Sequence, residues 1–381
     1  MISAACGGLL FWAAHGVRDR PGRAPRPLPM QLRRVDNPPN PYVSEHREWL
    51  EAPPEARVEI YEERSRSILS RNDSPDLPFT WSVNPYRGCQ HGCTYCYARP
   101  YHEYLGYGAG SDFETKLIVK RNAAGLLREA FAKPTWQRES VNFSGITDCY
   151  QPIEACYGIT RACLEVCVEL ANPAVVVTKG FLVVRDAGVL AELNRRARSR
   201  VLLSVPFADE KTAKLIEPLA PPPARRFEAM RRLHEAGVPV GVLVAPVIPG
   251  LNDRDIPRIL AAAAEAGARS AGMIALRLPA SVRPVFVKRL NEDLPLKAKR
   301  VLNRLSDVRG GELGESRFFE RMRGRGPYWE SVRSLFEIAK RQHGLTAVNY
   351  EMNAPPRRGL TTEPCNAPGA RDRQLSFGFD G

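Results

Sequence analysis

The chain contains no run of 18 or more apolar residues, so nothing in it reads as a membrane span. It also shows no internal repeat. The apolar stretch 2–17 lacks a positively charged start and a small-residue cleavage site, which argues against a secretory signal. A start at Met30, with residues 1–29 outside the native protein, is an alternative reading of that stretch. Lysine is scarce: 10 of the 55 basic residues, the rest being arginine, in a chain of net charge +13. Arginine excess suits phosphate contact through the bidentate guanidinium fork, but a GC-rich genome writes the same composition. The charge permits a nucleic-acid partner without showing one. The nine cysteines are odd in number and clustered. That pattern disfavours a disulfide framework and points to metal in a reducing cytoplasm.

What is present is an alternating pattern. Short β-branched runs at 82–87, 141–144, 174–178, 201–205, 239–245 and 271–276 are separated by helical stripes. Several runs are apolar throughout, as parallel strands covered on both faces must be. Ile159, Cys163, Val166, Cys167 and Leu170 share one helix face. Phe227, Met230 and Leu233 share another, ended at Gly237 by a C-cap. Asp186 is placed to cap the helix carrying Val189, Leu190, Leu193 and Ala197. Six βα units favour a partial, open (β/α)6 TIM-like barrel, with a doubly wound sheet as the alternative; either puts the site at the strands' C-terminal ends. The barrel spans 63–280. An N-terminal extension covers 1–62, a C-terminal helical segment 281–350, and a disordered tail 351–381.

The segment Asn84-Pro-Tyr-Arg-Gly-Cys89-Gln-His-Gly-Cys93-Thr-Tyr-Cys96-Tyr follows the first strand. Three thiolates on one loop are soft ligands for an iron–sulfur cluster, and a cubane normally takes four. Three ligands leave one iron open, the mark of a catalytic metal. A zinc site with His91 or a distant cysteine as fourth ligand is the competing reading. It is weakened because zinc sites favour paired C-x2-C units and no second pair occurs.

The loop resembles the signature of the radical S-adenosylmethionine (SAM) superfamily, with Tyr95 at its aromatic position. More of the chain, roughly 63–345, resembles the branch that includes spore photoproduct lyase. That likeness rests on the stretches beginning at Arg64 and Asp112, on Thr147-Asp-Cys-Tyr-Gln-Pro-Ile-Glu154, Val177-Thr-Lys179, Glu217-Pro and Ala245-Pro-Val-Ile-Pro-Gly-Leu-Asn-Asp253, and on the arginine–glycine motifs at 309–311 and 321–328. The resemblance implies a [4Fe–4S] cluster on Cys89, Cys93 and Cys96, with SAM bound through its amino and carboxylate groups to the open iron. It further implies one-electron cleavage to a 5′-deoxyadenosyl radical, and an electron donor of flavodoxin or ferredoxin type.

Several residues are candidates for that site. Asp148 and Glu154 follow the second strand, near SAM in the family; a helix cap and a solvated first-turn acid are the ordinary readings. Lys179 ends the third strand, where it packs poorly but suits an anion such as the SAM carboxylate. Ser204 ends the fourth. Glu217 and Arg226 are further candidates, while Leu219 stands where the branch often has arginine. Cys163 and Cys167 read as core thiols. The lyase returns a hydrogen atom from a cysteine whose place here is Gly145, so dimer repair is in doubt; Cys149 and Tyr97 are candidate substitutes. Gln374-Leu-Ser-Phe377-Gly-Phe379 resembles a peptide that grips the replicative sliding clamp. The substrate suggested is nucleic acid. A protein or small-molecule substrate, or a non-catalytic zinc- or cluster-bearing nucleic-acid binder, are the alternatives.

Overall fold

The computed structural model describes residues 37–42 and 57–350. The alternative start at Met30 and the clamp-like peptide at 374–379 both lie outside these residues.

The strands are β1 Glu59–Glu63, β2 Leu69–Arg71, β3 Trp81–Val83, β4 Tyr86–Arg87, β5 Lys116–Lys120, β6 Val141–Phe143, β7 Ala174–Thr178, β8 Ser199–Ser204, β9 Val240–Val247, β10 Ser270–Ala275 and β11 Thr346–Ala347. The helices are α1 Pro100–Glu103, α2 Ser111–Thr115, α3 Ala123–Ala132, α4 Glu154–Tyr157, α5 Ile159–Glu169, α6 Ala187–Ala197, α7 Glu210–Ile216, α8 Pro223–Glu235, α9 Ile256–Glu265, α10 Val282–Asp293, α11 Pro295–Val308 and α12 Gly326–Gln342.

Eight strands form the main sheet in the order β11-β10-β9-β8-β7-β6-β3-β2, and only β2 runs antiparallel to its neighbour. Six parallel strands, β3 and β6 to β10, are the partial (β/α)6 barrel that the apolar runs predict. Side chains alternate along them. Val176, Leu203 and Val242 join the main core, while Val175, Leu202 and Leu243 form a separate inner cluster. Gly237 (φ +80°) ends α8 as expected.

The inner cluster is covered by the chain's own later residues. β11 adds to the β10 edge, and Val348 and Tyr350 pack against Val175, Leu202 and Leu243. The Tyr350 ring lies 6.1 Å from that of Phe79, and Arg200 Nη1 donates to the Asn349 carbonyl at 2.9 Å. The segment 346–350 therefore seats itself in the open barrel.

Two local expectations change. The run 82–87 is not one strand, because Asn84 and Pro85 break it; β4 turns away into a second sheet of order β1-β5-β4. Asp186 makes no capping bond to α6. It accepts instead from Tyr150 Oη at 3.0 Å and from Arg161 and Arg185, and it is fully buried.

Candidate active site at the cysteine loop

The loop from Gly88 to Cys96 is held from several sides. Gly88 sits at φ +76°, and a Cβ there would lie 3.0 Å from the carbonyl oxygens of Phe113 and Lys116, so both the turn and the close approach require glycine. Cys89 N donates to Phe113 O at 2.8 Å, and Thr94 N to Ile216 O at 3.0 Å. Gln90 and Gln151 clamp each other's segments: Gln90 N donates to Gln151 Oε1 at 2.9 Å and Ile153 N to Gln90 Oε1 at 2.8 Å. Gln151 Nε2 and Thr147 Oγ1 both donate to the Gly88 carbonyl.

Beneath the loop lies Arg99, fully buried. It donates to the carbonyls of Gly92, Cys93, Ala109 and Gly110 and pairs with Glu114 at 2.5 Å. Five acceptors fix one guanidinium, and with it the carbonyl of the middle cysteine. A lone arginine in a loop carries no periodic or spacing signal, so sequence reasoning missed it.

Cys89 and Cys93 are buried and Cys96 is partly so. The three thiols act on one another through space, since neighbouring cysteines help to raise the pKa of Cys93 and Cys96. Burial pushes the Cys96 thiol up to about 11 and the Cys93 thiol well above its ordinary value, with Lys179 opposing both. For Cys89, burial works against the thiolate, but the His91 imidazole outweighs it and lowers the pKa. Among the described residues, no three His, Cys, Asp or Glu side chains converge to hold a single metal ion. His91, the zinc reading's fourth ligand, pairs through Nδ1 with Asp148 at 3.3 Å instead. A cluster takes each thiolate on a different iron, so its ligands need not meet at a point. The donor set fits a cluster better than zinc.

Behind Cys93 is a second group of buried residues. Tyr95 Oη donates to Glu217, whose other oxygen pairs with Arg226 at 2.5 Å. Arg226 also donates to the Ser204 and Pro221 carbonyls. Burial disfavours the Glu217 carboxylate, but Arg226 and Lys179 outweigh it and hold its pKa low. Glu217 and Arg226 therefore spend themselves on each other and on the Tyr95 side chain. Lys179 is less committed: its Nζ is 3.8 Å from Glu217 and 5.7 Å from the centre of the Tyr95 ring. Burial disfavours its charge, yet Cys93 and Glu217 raise its pKa, so it stays an ammonium. Ser204 Oγ donates to Ala245 O at 3.0 Å and keeps acceptor capacity.

The two acids after β6 play other parts than the sequence suggested. Asp148 accepts from Thr178 Oγ1 at 2.5 Å, Lys179 N at 2.7 Å and Tyr150 N at 2.9 Å, besides facing His91. It ties the end of β7 to the cysteine loop, and despite burial His91 first, then the Lys179 and Thr178 donors, hold its pKa far below the carboxylate range. Glu154 is fully buried and accepts from Tyr86 Oη, from Thr160 N at 2.9 Å and Arg161 N at 3.3 Å, and from Arg185 at 2.7 Å. It is a hub between β4, α5 and the turn after β7, not a solvated acid and not a group free for SAM.

Cys149 is fully buried in the main core with a strongly raised pKa, a poor place for a donor facing substrate. Cys163 and Cys167 are core thiols, as their stripe predicts. Tyr97, beside Cys96, is exposed, and its hydroxyl donates to Gly145 O at 2.8 Å. A Cβ at Gly145 would lie 3.3 Å from Ser82 Cβ and Oγ, so a larger residue there needs its neighbours to give way.

Fold and site together define a partial barrel with three thiols at its strand ends, a donor set suited to an iron–sulfur cluster. The Radical SAM superfamily model matches residues 83–263. An uncharacterised protein of Mycobacterium tuberculosis is 34% identical over 241 residues, 62% of this chain and 71% of the relative. One of Methanocaldococcus jannaschii is 27% identical over 198 residues, 52% of this chain and 71% of that relative. Solved structures of spore photoproduct lyase share the fold at 15% identity and TM-score 0.55, covering 76% of this chain and 81% of theirs; one holds AdoMet and a dinucleoside spore photoproduct. The chain belongs to the radical SAM superfamily. It is a radical SAM enzyme, and its cofactors are a [4Fe–4S] cluster and SAM.

Proposed function

We propose that this enzyme acts on a nucleic acid, in a reaction related to DNA repair, with electrons supplied by a flavodoxin- or ferredoxin-type donor. The observation that carries the reading is the charge at the barrel mouth. Arg277, just past β10, has no hydrogen-bond or ion-pair partner among the described residues, and its guanidinium stands 5.6 Å from the centre of the Tyr97 ring. Beside it, Arg309 donates only to carbonyls, those of Leu276, Glu320, Arg321 and Arg323. Arg309 is buried and its Nη donors are taken, so Arg277, with no hydrogen-bonded carboxylate beside the cluster loop, is the one that suits a phosphate.

Cys89, Cys93 and Cys96 would hold the cluster, and Lys179 and Ser204 would receive the polar groups of SAM. When bound, the two cofactors supply reductive cleavage of the sulfonium, giving methionine and a 5′-deoxyadenosyl radical. The protein's own work is positional. Arg99 and the Gln90–Gln151 clamp fix the loop, Asp148 sets Lys179 over it, and the Tyr95–Glu217–Arg226 group closes the floor against water.

Anaerobically purified protein should be brown, bleach under dithionite, and release 5′-deoxyadenosine from SAM. Cys93→Ala should lose both colour and product. Oligonucleotide binding should weaken steeply as salt rises. Active enzyme that binds neither DNA nor RNA at low salt would sink the nucleic-acid reading and leave the cofactor assignment standing.

A further inference from the structure

Seven aromatic side chains are exposed among the described residues, and apart from Tyr61, Phe318 and Phe319 they form one group. Tyr97, Tyr101, Tyr104 and Tyr42 are between 43% and 64% exposed, and they run in sequence away from the cysteine loop. Tyr97 adjoins Cys96, and its hydroxyl feels both Arg277 and Tyr101 through space. The Tyr101 and Tyr104 rings are 6.3 Å apart at their centres, and Tyr104 and Tyr42 4.7 Å. Three of the four are carried by the short stretch around α1. The same stretch is pinned from beneath by Arg99, and at its far end by Asn40, whose Nδ2 donates to the carbonyls of Glu103 and Tyr107. A firmly anchored stretch therefore leaves Tyr97, Tyr101 and Tyr104 exposed to solvent, where burial would stabilise them more.

We infer that Tyr97, Tyr101, Tyr104 and Tyr42 form a stacking track for single-stranded nucleic acid that leads into the barrel mouth, with Arg277 holding a backbone phosphate at its inner end. The inference rests on the nucleic-acid reading above and specifies the form of the substrate. Aromatic rings receive bases of any sequence by stacking, and a base is free to stack on a side chain only when it is unpaired. A duplex presents phosphates outward and keeps its ring faces covered, so a basic surface alone would serve it. Here, among the described residues, Arg277 sits at the mouth without a hydrogen-bond or ion-pair partner, and Tyr97, Tyr101, Tyr104 and Tyr42 lead away from it. The chemistry offered is ring faces first and charge second. Reaction on a base also requires that base to leave its stack, which a single strand has already done.

The test uses the full-length, cluster-loaded protein under anaerobic conditions. Fluorescence anisotropy would follow a labelled thymidine dodecanucleotide, the uridine equivalent and a DNA duplex of equal length. Wild type should bind a single strand more tightly than the duplex, and the two single strands separate DNA from RNA as the source. The double variant Tyr101→Ala, Tyr104→Ala should weaken single-strand binding about tenfold or more. Tyr101→Phe with Tyr104→Phe keeps the rings and should stay within about twofold of wild type if stacking is the interaction. Arg277→Gln should reduce the dependence of log affinity on log salt by about one phosphate's worth. The alanine pair should leave release of 5′-deoxyadenosine from SAM unchanged, since neither tyrosine touches the SAM site. Tighter binding of duplex, or alanine variants that bind single strands as wild type does, would overturn the track while nucleic-acid binding stood. Loss of binding to a reduced flavodoxin in the alanine pair, with oligonucleotide binding intact, would also overturn it by giving the surface to the electron donor. Wild type that binds no nucleic acid at all would remove the broader reading, and the track with it.

Discussion

Replacing Glu154 with glutamine separates its structural role from the cofactor-binding role that its position after a strand suggests. The change keeps the shape and removes the charge. In the native chain the two carboxylate oxygens accept from Tyr86, two backbone N–H groups and Arg185. Glutamine offers one acceptor oxygen and turns two donors toward a surround that is itself all donors. Removing one partner of a buried pair costs about 3–5 kcal/mol. Arg185 keeps Asp186 at 2.7 Å and its side chain is 27% exposed, so water recovers part of its charge. The net loss is then about 2–3 kcal/mol, because a partly solvated partner is less costly to leave unpaired. For a domain of about 300 residues that lowers Tm by about 3–5 °C. Anaerobic thermal unfolding of cluster-loaded wild type and variant measures the shift, and equilibrium dialysis measures SAM affinity of the folded fraction. The expected outcome is a drop in Tm of a few degrees with SAM binding retained. An unchanged Tm together with markedly weaker SAM binding would refute the hub assignment and return Glu154 to the cofactor site.

Two further perturbations probe other parts of the chain. Gly180→Ala would place a Cβ 2.4 Å from the Tyr150 carbonyl oxygen and 2.7 Å from Tyr150 Cβ. Backbone must move, at a cost of about 1–3 kcal/mol, and Lys179 moves with it, so both Tm and SAM affinity should fall; Gly188→Ala, where nothing lies within 4 Å, is the control and should cost neither. Lys120 is buried on β5, and burial, aided by Arg87, lowers its pKa from 10.5 to about 8. A depressed lysine penalises the fold fully below pH 8 and ceases to do so as pH rises towards 10.5, so Lys120→Met should raise Tm near neutral pH, with the gain shrinking across that window. A gain that grows with pH would show the sign to be wrong.

The barrel was legible because its strands are buried on both faces, so that 174–177, 201–203 and 239–245 read as apolar runs. The cysteine loop was legible because soft ligands at fixed spacing have few other uses. The loop's supports were not. Arg99, Gln90 and Gln151 act through single contacts between segments distant in sequence, which no local pattern encodes. Asp148 and Glu154 look alike as carboxylates after a strand, and only their donors distinguish a tether at the mouth from a hub behind it. Glu217 and Arg226 are candidates in the sequence, but their mutual pairing depends on α8 folding back across the end of β8. β11 is two residues long, too short to leave a periodic trace.

That short strand also sets the order in which the molecule can be finished. Synthesis runs from the N-terminus, so the cysteine loop is made early, and Thr346 to Tyr350 come near the end of the described chain. Until they emerge, the β10 edge is unpaired, and Val175, Leu202 and Leu243 lack the side chains that cover them. A nascent chain halted before Thr346 thus offers a bare strand edge and an oily inner wall at once, the combination that recruits a neighbouring chain. Thr346 to Tyr350 act as the barrel's timing element: it is only as safe from its neighbours as this stopper is prompt.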